Sequence, residues 1–92
     1  MKFEYTEKAK DGGVQRLYRF DNGYGASVIC HNHSYGGDEG LWELAVIVYG
    51  DVGYLLCYDT DITDDVIGYL SEEEVDQLLV SINALEKRND AD

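Results

Sequence analysis

The sequence predicts an α+β fold, in which a four- or five-stranded antiparallel β-meander packs one C-terminal α-helix on one face. Three observations predict it. Alternating polar and apolar residues between glycine turns fill the chain up to residue 58, and turns this short connect antiparallel strands. An apolar stripe with helical spacing follows residue 70. The chain has 92 residues, enough for one simple core, so we expect residues 1–92 to form a single domain.

Five strands are predicted within residues 2–58. The first begins within residues 3–7 and stops at residues 10–13, and the other four cover residues 15–20, 26–33, 41–49 and 54–58. Asn22-Gly23 lies between the second and third strands and predicts a hairpin with a type I′ turn, because both residues tolerate the positive φ values that this turn requires.

Alternation along the strands assigns each side chain to one face of the sheet. The predicted core face carries Val28, Cys30, Trp42, Leu44, Val46, Val48, Leu55 and Cys57. The opposite face carries Ile29, His31, His33, Glu43, Ala45, Ile47, Tyr54, Leu56 and Tyr58. A shift of one residue would exchange the two sets.

Residues 59–70 form an acidic connector, in which residues 66–70 are predicted to be a docking segment or a short extra strand. The helix is predicted over residues 71–88. Ser71 and Glu74 match a capping box, in which each side chain bonds a backbone N–H at the helix start. Leu70 and Val75 match the hydrophobic staple that accompanies such a cap. The apolar stripe consists of Val75, Leu78, Leu79, Ile82 and Leu85.

The net charge of −12 limits the classes of partner. Residues 47–92 carry −10 of it, so the acidity belongs to the C-terminal half. An acidic chain does not neutralise phosphates, which argues against direct binding to nucleic acid or to anionic membranes. The sequence has neither a long apolar span nor a signal-peptide pattern, so we expect a cytoplasmic protein with Cys30 and Cys57 reduced.

A His-x-His pair raises the possibility of a metal site. On a strand, His31 and His33 would project from one face, and Glu43 on the neighbouring strand would supply a third ligand for Zn²⁺. The plainer interpretation is two half-exposed histidines beside a loop. Cys30 and Cys57 are alternative thiolate ligands with His33, but alternation directs Cys30 to the other face, and both cysteines suit a core.

A protein-binding surface is the leading functional prediction. Seven acids exceed what helix-start electrostatics and solubility require, and predict a basic partner: Asp59, Asp61, Asp64, Asp65, Glu72, Glu73 and Asp76. Three tyrosines are candidate anchors: Tyr35, Tyr58 and Tyr69. No nucleophile, base and orienting group can be placed together, so an enzyme is not predicted.

Several linear motifs resemble a family of small acidic proteins encoded by bacteriophages and prophages. They are Tyr18–Val28 (YRFDNGYGASV), Ser34–Gly37 (SYGG), Gly40–Val46 (GLWELAV), Cys57–Thr60 and Ile67–Ser71. The resemblance covers residues 16–85 and implies a phage accessory protein in the cytoplasm of an infected bacterium. Many such proteins inhibit host defence, including anti-CRISPR proteins that keep DNA off an effector nuclease, so the partner implied is a host protein with a basic nucleic-acid-binding surface. A zinc-binding structural or regulatory protein and a phage structural or assembly protein are the alternatives.

Overall fold

The computed structural model describes residues 3–10, 12–50, 53–57 and 66–86. The predicted α+β meander is confirmed over these residues. In chain order the strands are β1 (Tyr5–Lys10), β2 (Gly13–Arg19), β3 (Tyr24–Cys30), β4 (Trp42–Gly50), β5 (Gly53–Leu56) and β6 (Ile67–Leu70), and the helix α1 is Glu72–Asn83. A single 3₁₀ turn, Gly37–Glu39, lies between β3 and β4. Within the described part of the chain no helix is long and apolar enough to cross a membrane.

The long strand β4 organises the sheet. Strands β1 to β5 follow one another as antiparallel neighbours, and β6 returns to pair with β4. The C-terminal half of β4 pairs with β5 through Ile47–Leu56, whereas its N-terminal end pairs with β6 through Trp42–Leu70. Two short strands therefore share one edge of β4, and the extra strand predicted within residues 66–70 is confirmed.

The helix covers the face of the sheet that the alternation selects. Val28 pairs with Leu44 and Ala26 pairs with Val46, so these side chains face α1. The core cluster consists of Tyr18, Phe20, Ala26, Val28, Trp42, Leu44, Val46, Cys57, Leu70, Val75, Leu79 and Ile82. Cys30 and Val48 are partly buried against it. The predicted core face is thus confirmed for seven of its eight residues.

The exception on this face is Leu55, whose side chain is 74% exposed. It lies on β5, whereas α1 packs mainly on β3, β4 and β6, so the helix does not reach it. The opposite face also differs from expectation, because Ile47 is fully buried and Ala45 is buried too. Ile47 pairs with Gly25, which has no side chain, and the Tyr49 ring lies over that glycine. The sheet therefore buries a second, smaller apolar patch.

The hairpin between β2 and β3 forms, but the predicted type I′ turn is wrong. Gly23 has φ +88°, whereas Tyr69 is the one non-glycine residue with a positive φ among the described residues, so φ of Asn22 is negative. A type I′ turn needs positive φ at both central residues. Asn22 instead uses its side chain, whose Oδ1 accepts a hydrogen bond from the Tyr24 N–H at 3.0 Å.

The helix begins as predicted and ends earlier. Ser71 Oγ accepts from the Glu74 N–H at 3.2 Å, and the Ser71 N–H donates to Glu74 Oε1 at 2.9 Å, which completes the capping box. The predicted end at residue 88 is wrong, because α1 ends at Asn83. At this end Asn22 Nδ2 donates hydrogen bonds to backbone carbonyls of the last turn, among them the Ile82 carbonyl at 2.9 Å.

Candidate functional site

Two of the three predicted anchor tyrosines lie next to each other. The turn that contains Tyr35 runs along β6, and the Tyr69 N–H donates a hydrogen bond to the Tyr35 carbonyl at 3.2 Å. The Tyr35 N–H in turn donates to Glu43 Oε1 at 2.8 Å, which ties the turn to β4. Both rings remain in solvent, 60% exposed for Tyr35 and 59% for Tyr69. The fold thus brings the backbones of two exposed tyrosines together.

Glycines make this approach feasible. A Cβ atom on Gly68 would collide with Tyr35 Cβ, so β6 and the turn meet where β6 has no side chain. Gly36 has φ +89°, and a Cβ there would lie 2.9 Å from Tyr69 Cα. Because neither glycine has a Cβ atom, the two tyrosine backbones can approach this closely.

Tyr69 has a strained backbone. Its φ is +57°, a left-handed conformation that costs an L-residue with a Cβ roughly 1–2 kcal/mol. Glycine or asparagine would occupy such a position more easily. Strain of this kind clusters at functional sites, where a particular side chain is needed in a particular place.

The predicted acids divide into two groups. Glu72, Glu73 and Asp76 are exposed on the first turns of α1, which begins two residues after β6 ends. The remaining members of the predicted partner-binding set lie outside the described residues: Tyr58, Asp59, Asp61, Asp64 and Asp65. The structure therefore describes half of the predicted set.

Arg16 on β2 faces the core side of the sheet, and none of the predicted sites included it. Its guanidinium carbon lies 4.4 Å from the centre of the Trp42 ring and 4.9 Å from that of Tyr5, so the cation is stacked between two aromatic rings. Nη1 donates to Glu72 Oε1 at 3.1 Å, and Nε lies 3.5 Å from Glu7 Oε1. The arginine joins β1, β2 and β4 to the helix start.

A cavity of about 140 Å³ opens beside this arginine. Its lining combines aromatic and charged side chains: Phe3, Tyr5, Arg16, Tyr18, Glu72 and Asp76. Burial raises the pKa of the Tyr18 hydroxyl, with the charge of Arg16 opposing the rise, so this tyrosine is neutral at physiological pH. Burial lowers the pKa of Arg16, but the hydrogen bond to Glu72 and the charges of Glu72, Tyr5 and Tyr18 together outweigh it, so the pKa lies above its ordinary value.

One sequence signal would have located this site. Val14, Arg16 and Tyr18 alternate along β2 and so share one face, which places an arginine among core side chains. A charged residue at such a position needs carboxylate and aromatic neighbours. Those neighbours come from β1, β4 and α1, and only the tertiary fold brings them together.

The predicted zinc ligands are not arranged as expected. β3 ends at Cys30, so His31 and His33 lie in a turn, where the His33 N–H donates to His31 Nδ1 at 3.0 Å. Glu43 pairs with Ile29 and not with His31. The strand position of the histidines and the pairing with Glu43 were therefore wrong, because the Ser34 side chain bonds the backbone of His31 and turns the chain there.

In the part of the chain that the structure describes, no three His, Cys, Asp or Glu residues are grouped so that they could hold one metal ion. Neither Cys30 nor Cys57 is in a disulfide, and Cys57 is part of the core, as a small apolar side chain would be. Zinc binding by His31, His33 and Glu43 stays a prediction, and elemental analysis of untagged protein would test it.

Comparison with known proteins adds no further constraint. No protein-family model, no curated protein and no solved structure matches this chain with significant similarity.

Proposed function

We propose that this protein acts by stoichiometric binding to another protein that has a basic surface. The binding surface combines Tyr35 and Tyr69 with the acidic first turns of α1. The acids of the preceding connector, Asp59 to Asp65, would extend it along the chain.

The observation that carries the proposal is the backbone of Tyr69. An exposed tyrosine outside the core cluster is held in a left-handed conformation, at a cost to stability. Tyrosine is enriched at interfaces because it offers a large contact area with few rotamers. Acids around such an anchor attract a basic partner over distance and increase the rate of association.

The resemblance to phage proteins supports a more specific form of the proposal. The partner would be a host enzyme that acts on nucleic acid, such as a CRISPR effector nuclease, and the acidic surface would occupy its DNA-binding groove. The protein would then act in the bacterial cytoplasm. Burial of tyrosines against such a groove, together with matched charges, would exclude DNA without any catalysis.

The test is capture of a partner from bacterial host lysate, followed by titration with the purified partner. We expect binding that weakens steeply with added salt, because exposed charges are screened. The variants Tyr69→Asn and Tyr35→Ser should each weaken binding at least about tenfold, as anchor residues do. Tyr69→Asn should also raise or preserve the melting temperature, because asparagine tolerates the left-handed backbone.

Two matched controls separate anchors from general surface effects. Val80→Ala alters another exposed apolar residue, on the outer face of α1, and should leave the affinity unchanged. Reversal of Asp61, Asp64 and Asp65 to lysine should abolish binding, whereas reversal of the exposed acids Glu4, Asp21 and Glu86 should weaken it far less. Equal losses in the two triple variants, or full binding by Tyr69→Asn, would contradict the proposal.

A further inference from the structure

The geometry points to a receptor for one cationic side chain in the cavity beside Arg16. We infer that a lysine ammonium or an arginine guanidinium of the basic partner enters this cavity. The inference rests on the proposed function and names a contact that function would use.

The size of the cavity suits such a group. Its volume of about 140 Å³ is that of several water molecules, each of which takes about 30 Å³ in the liquid. The head of a lysine or arginine side chain fits this space, whereas a nucleotide or a folded peptide segment does not.

The charges around the cavity select a cation. Arg16 already has carboxylate partners in Glu72, at 3.1 Å, and Glu7, at 3.5 Å. Asp76 lines the same cavity and has no ion-pair partner within the residues that the structure describes. Asp76 and Glu72 are four residues apart on α1 and so lie on one helix face, where like charges repel until a cation lies between them. The lining itself has two carboxylates, Glu72 and Asp76, against the one guanidinium of Arg16, which leaves the site negative.

The aromatic lining provides a second attraction for the same class of ligand. Phe3, Tyr5 and Tyr18 form the walls, and ring faces attract cations through their quadrupole. Arg16 itself demonstrates this at the same place, because its guanidinium is stacked between Tyr5 and Trp42. An incoming cation would meet the Tyr5 ring from the cavity side and the carboxylates of α1 from the other.

The converse ligand, an anion, is disfavoured by the same contacts. Arg16 is the one cation of the lining, and its Nη1 already donates to Glu72. An anion would have to displace that carboxylate and would then face Asp76. The charges of the lining therefore favour a cation over an anion, whatever the shape of the ligand.

The experiment uses blocked pentapeptides with one central residue, either lysine, arginine or glutamine, flanked by glycines. Binding is followed by amide chemical shifts in NMR spectra and by fluorescence of Trp42, the only tryptophan of the chain. We expect the lysine or the arginine peptide to shift the resonances of Phe3, Tyr5, Arg16 and Asp76, and the glutamine peptide to leave them in place. The tighter of the two cationic peptides identifies the side chain of the partner.

Two variants test the contact itself. Asp76→Asn should weaken the cationic peptide about fivefold, whereas Glu86→Gln, which removes an equivalent exposed charge beyond the other end of α1, should change affinity less than about twofold. Tyr5→Leu should weaken binding, and Tyr54→Leu on β5 should not. Thermal unfolding of each variant confirms that it is folded.

Equal effects of Asp76→Asn and Glu86→Gln would overturn the inference, since binding would then depend only on net charge. Binding of the glutamine peptide as tight as that of the cationic ones would do the same. Failure here is distinguishable from failure of the proposed function, because partner capture depends on Tyr35 and Tyr69. If Asp76→Asn still captures the partner and Tyr69→Asn does not, the proposed function stands and the cavity does not contribute to partner binding.

Discussion

Asn22 links the β2–β3 hairpin to the end of the helix, and its replacement should destabilise the whole domain. The side chain is 9% exposed, and its Nδ2 lies 2.9 Å from the Ile82 carbonyl, 3.1 Å from that of Leu85 and 3.3 Å from that of Asn83. Its Oδ1 accepts from the Tyr24 N–H at 3.0 Å. One amide group thus serves two elements that are 60 residues apart in sequence.

The cost of Asn22→Ala can be worked out from these contacts. The two amide protons and the one oxygen make the equivalent of three hydrogen bonds, each with a net value of about 1 kcal/mol. The total is about 3 kcal/mol, with no added penalty for the Ile82 carbonyl, which keeps the hydrogen bond from the Leu85 N–H at 3.1 Å. For a domain of this size that loss lowers the melting temperature by roughly 12–24 °C.

Asn22→Asp keeps the acceptor for Tyr24 but replaces the donor with a carboxylate that faces helix C-terminal carbonyls. We expect it to be at least as unstable as Asn22→Ala at neutral pH, because the negative end of the helix dipole repels the charge. The folded state then favours the protonated form and raises the pKa of the new carboxyl. Its deficit should therefore shrink as pH falls toward the unfolded pKa of about 3.9 and grow as pH rises through the folded value.

The assay is urea or thermal unfolding followed by circular dichroism and Trp42 fluorescence. Asn83→Ala is the matched control, because it removes an exposed asparagine side chain at the same helix end. The reasoning is refuted if Asn22→Ala costs less than about 1 kcal/mol, the value of one hydrogen bond. It is equally refuted if Asn22→Asp is as stable as the wild type at neutral pH.

Three further predictions concern the helix start and the tyrosine pair. Ser71→Ala should cost about 1 kcal/mol in unfolding experiments, the usual loss for a helix cap. The hydrogen bond from the Ser71 backbone N–H lowers the pKa of Glu74 below its ordinary value of 4.5. The stabilisation that ionised Glu74 gives is therefore full above pH 4.5 and is lost as pH falls through the lowered pKa. The melting temperatures of Glu74→Ala and the wild type should converge as pH falls below that pKa. Gly68→Ala should shift the NMR resonances of Tyr35, because its Cβ would collide with that residue, whereas Gly50→Ala, which has open space around it, should not.

Local patterns were sufficient for much of the fold. Alternation through Trp42, Leu44 and Val46 identified the buried face, because each strand must place its apolar side chains where the helix covers them. Ser71 and Glu74 located the helix start, since the capping box is made within four consecutive residues. Interactions of this short range can be read directly from the chain.

What could not be predicted depends on contacts between distant segments. Leu55 is exposed because α1 packs on β3, β4 and β6 and does not cover β5. The residues around Leu55 do not indicate how far the helix reaches. The helix ends at Asn83 because Asn22, on the other side of the fold, binds its carbonyls. The candidate site was predicted in part: Tyr35 and Tyr69 were named, but their juxtaposition comes from tertiary packing, as does the role of Arg16.

The position of Asn22 also affects how this protein ages. An asparagine followed by glycine is the pair most prone to deamidation, in which the glycine nitrogen attacks the side-chain amide carbon and ammonia leaves. In the folded chain that nitrogen donates to the Phe20 carbonyl at 3.2 Å, and the amide is held by the helix end, so ring closure is hindered. Unfolding removes both restraints, and the aspartate that forms weakens the fold that protected it. Each opening of the fold thus exposes Asn22 to a change that leaves the molecule less able to close again.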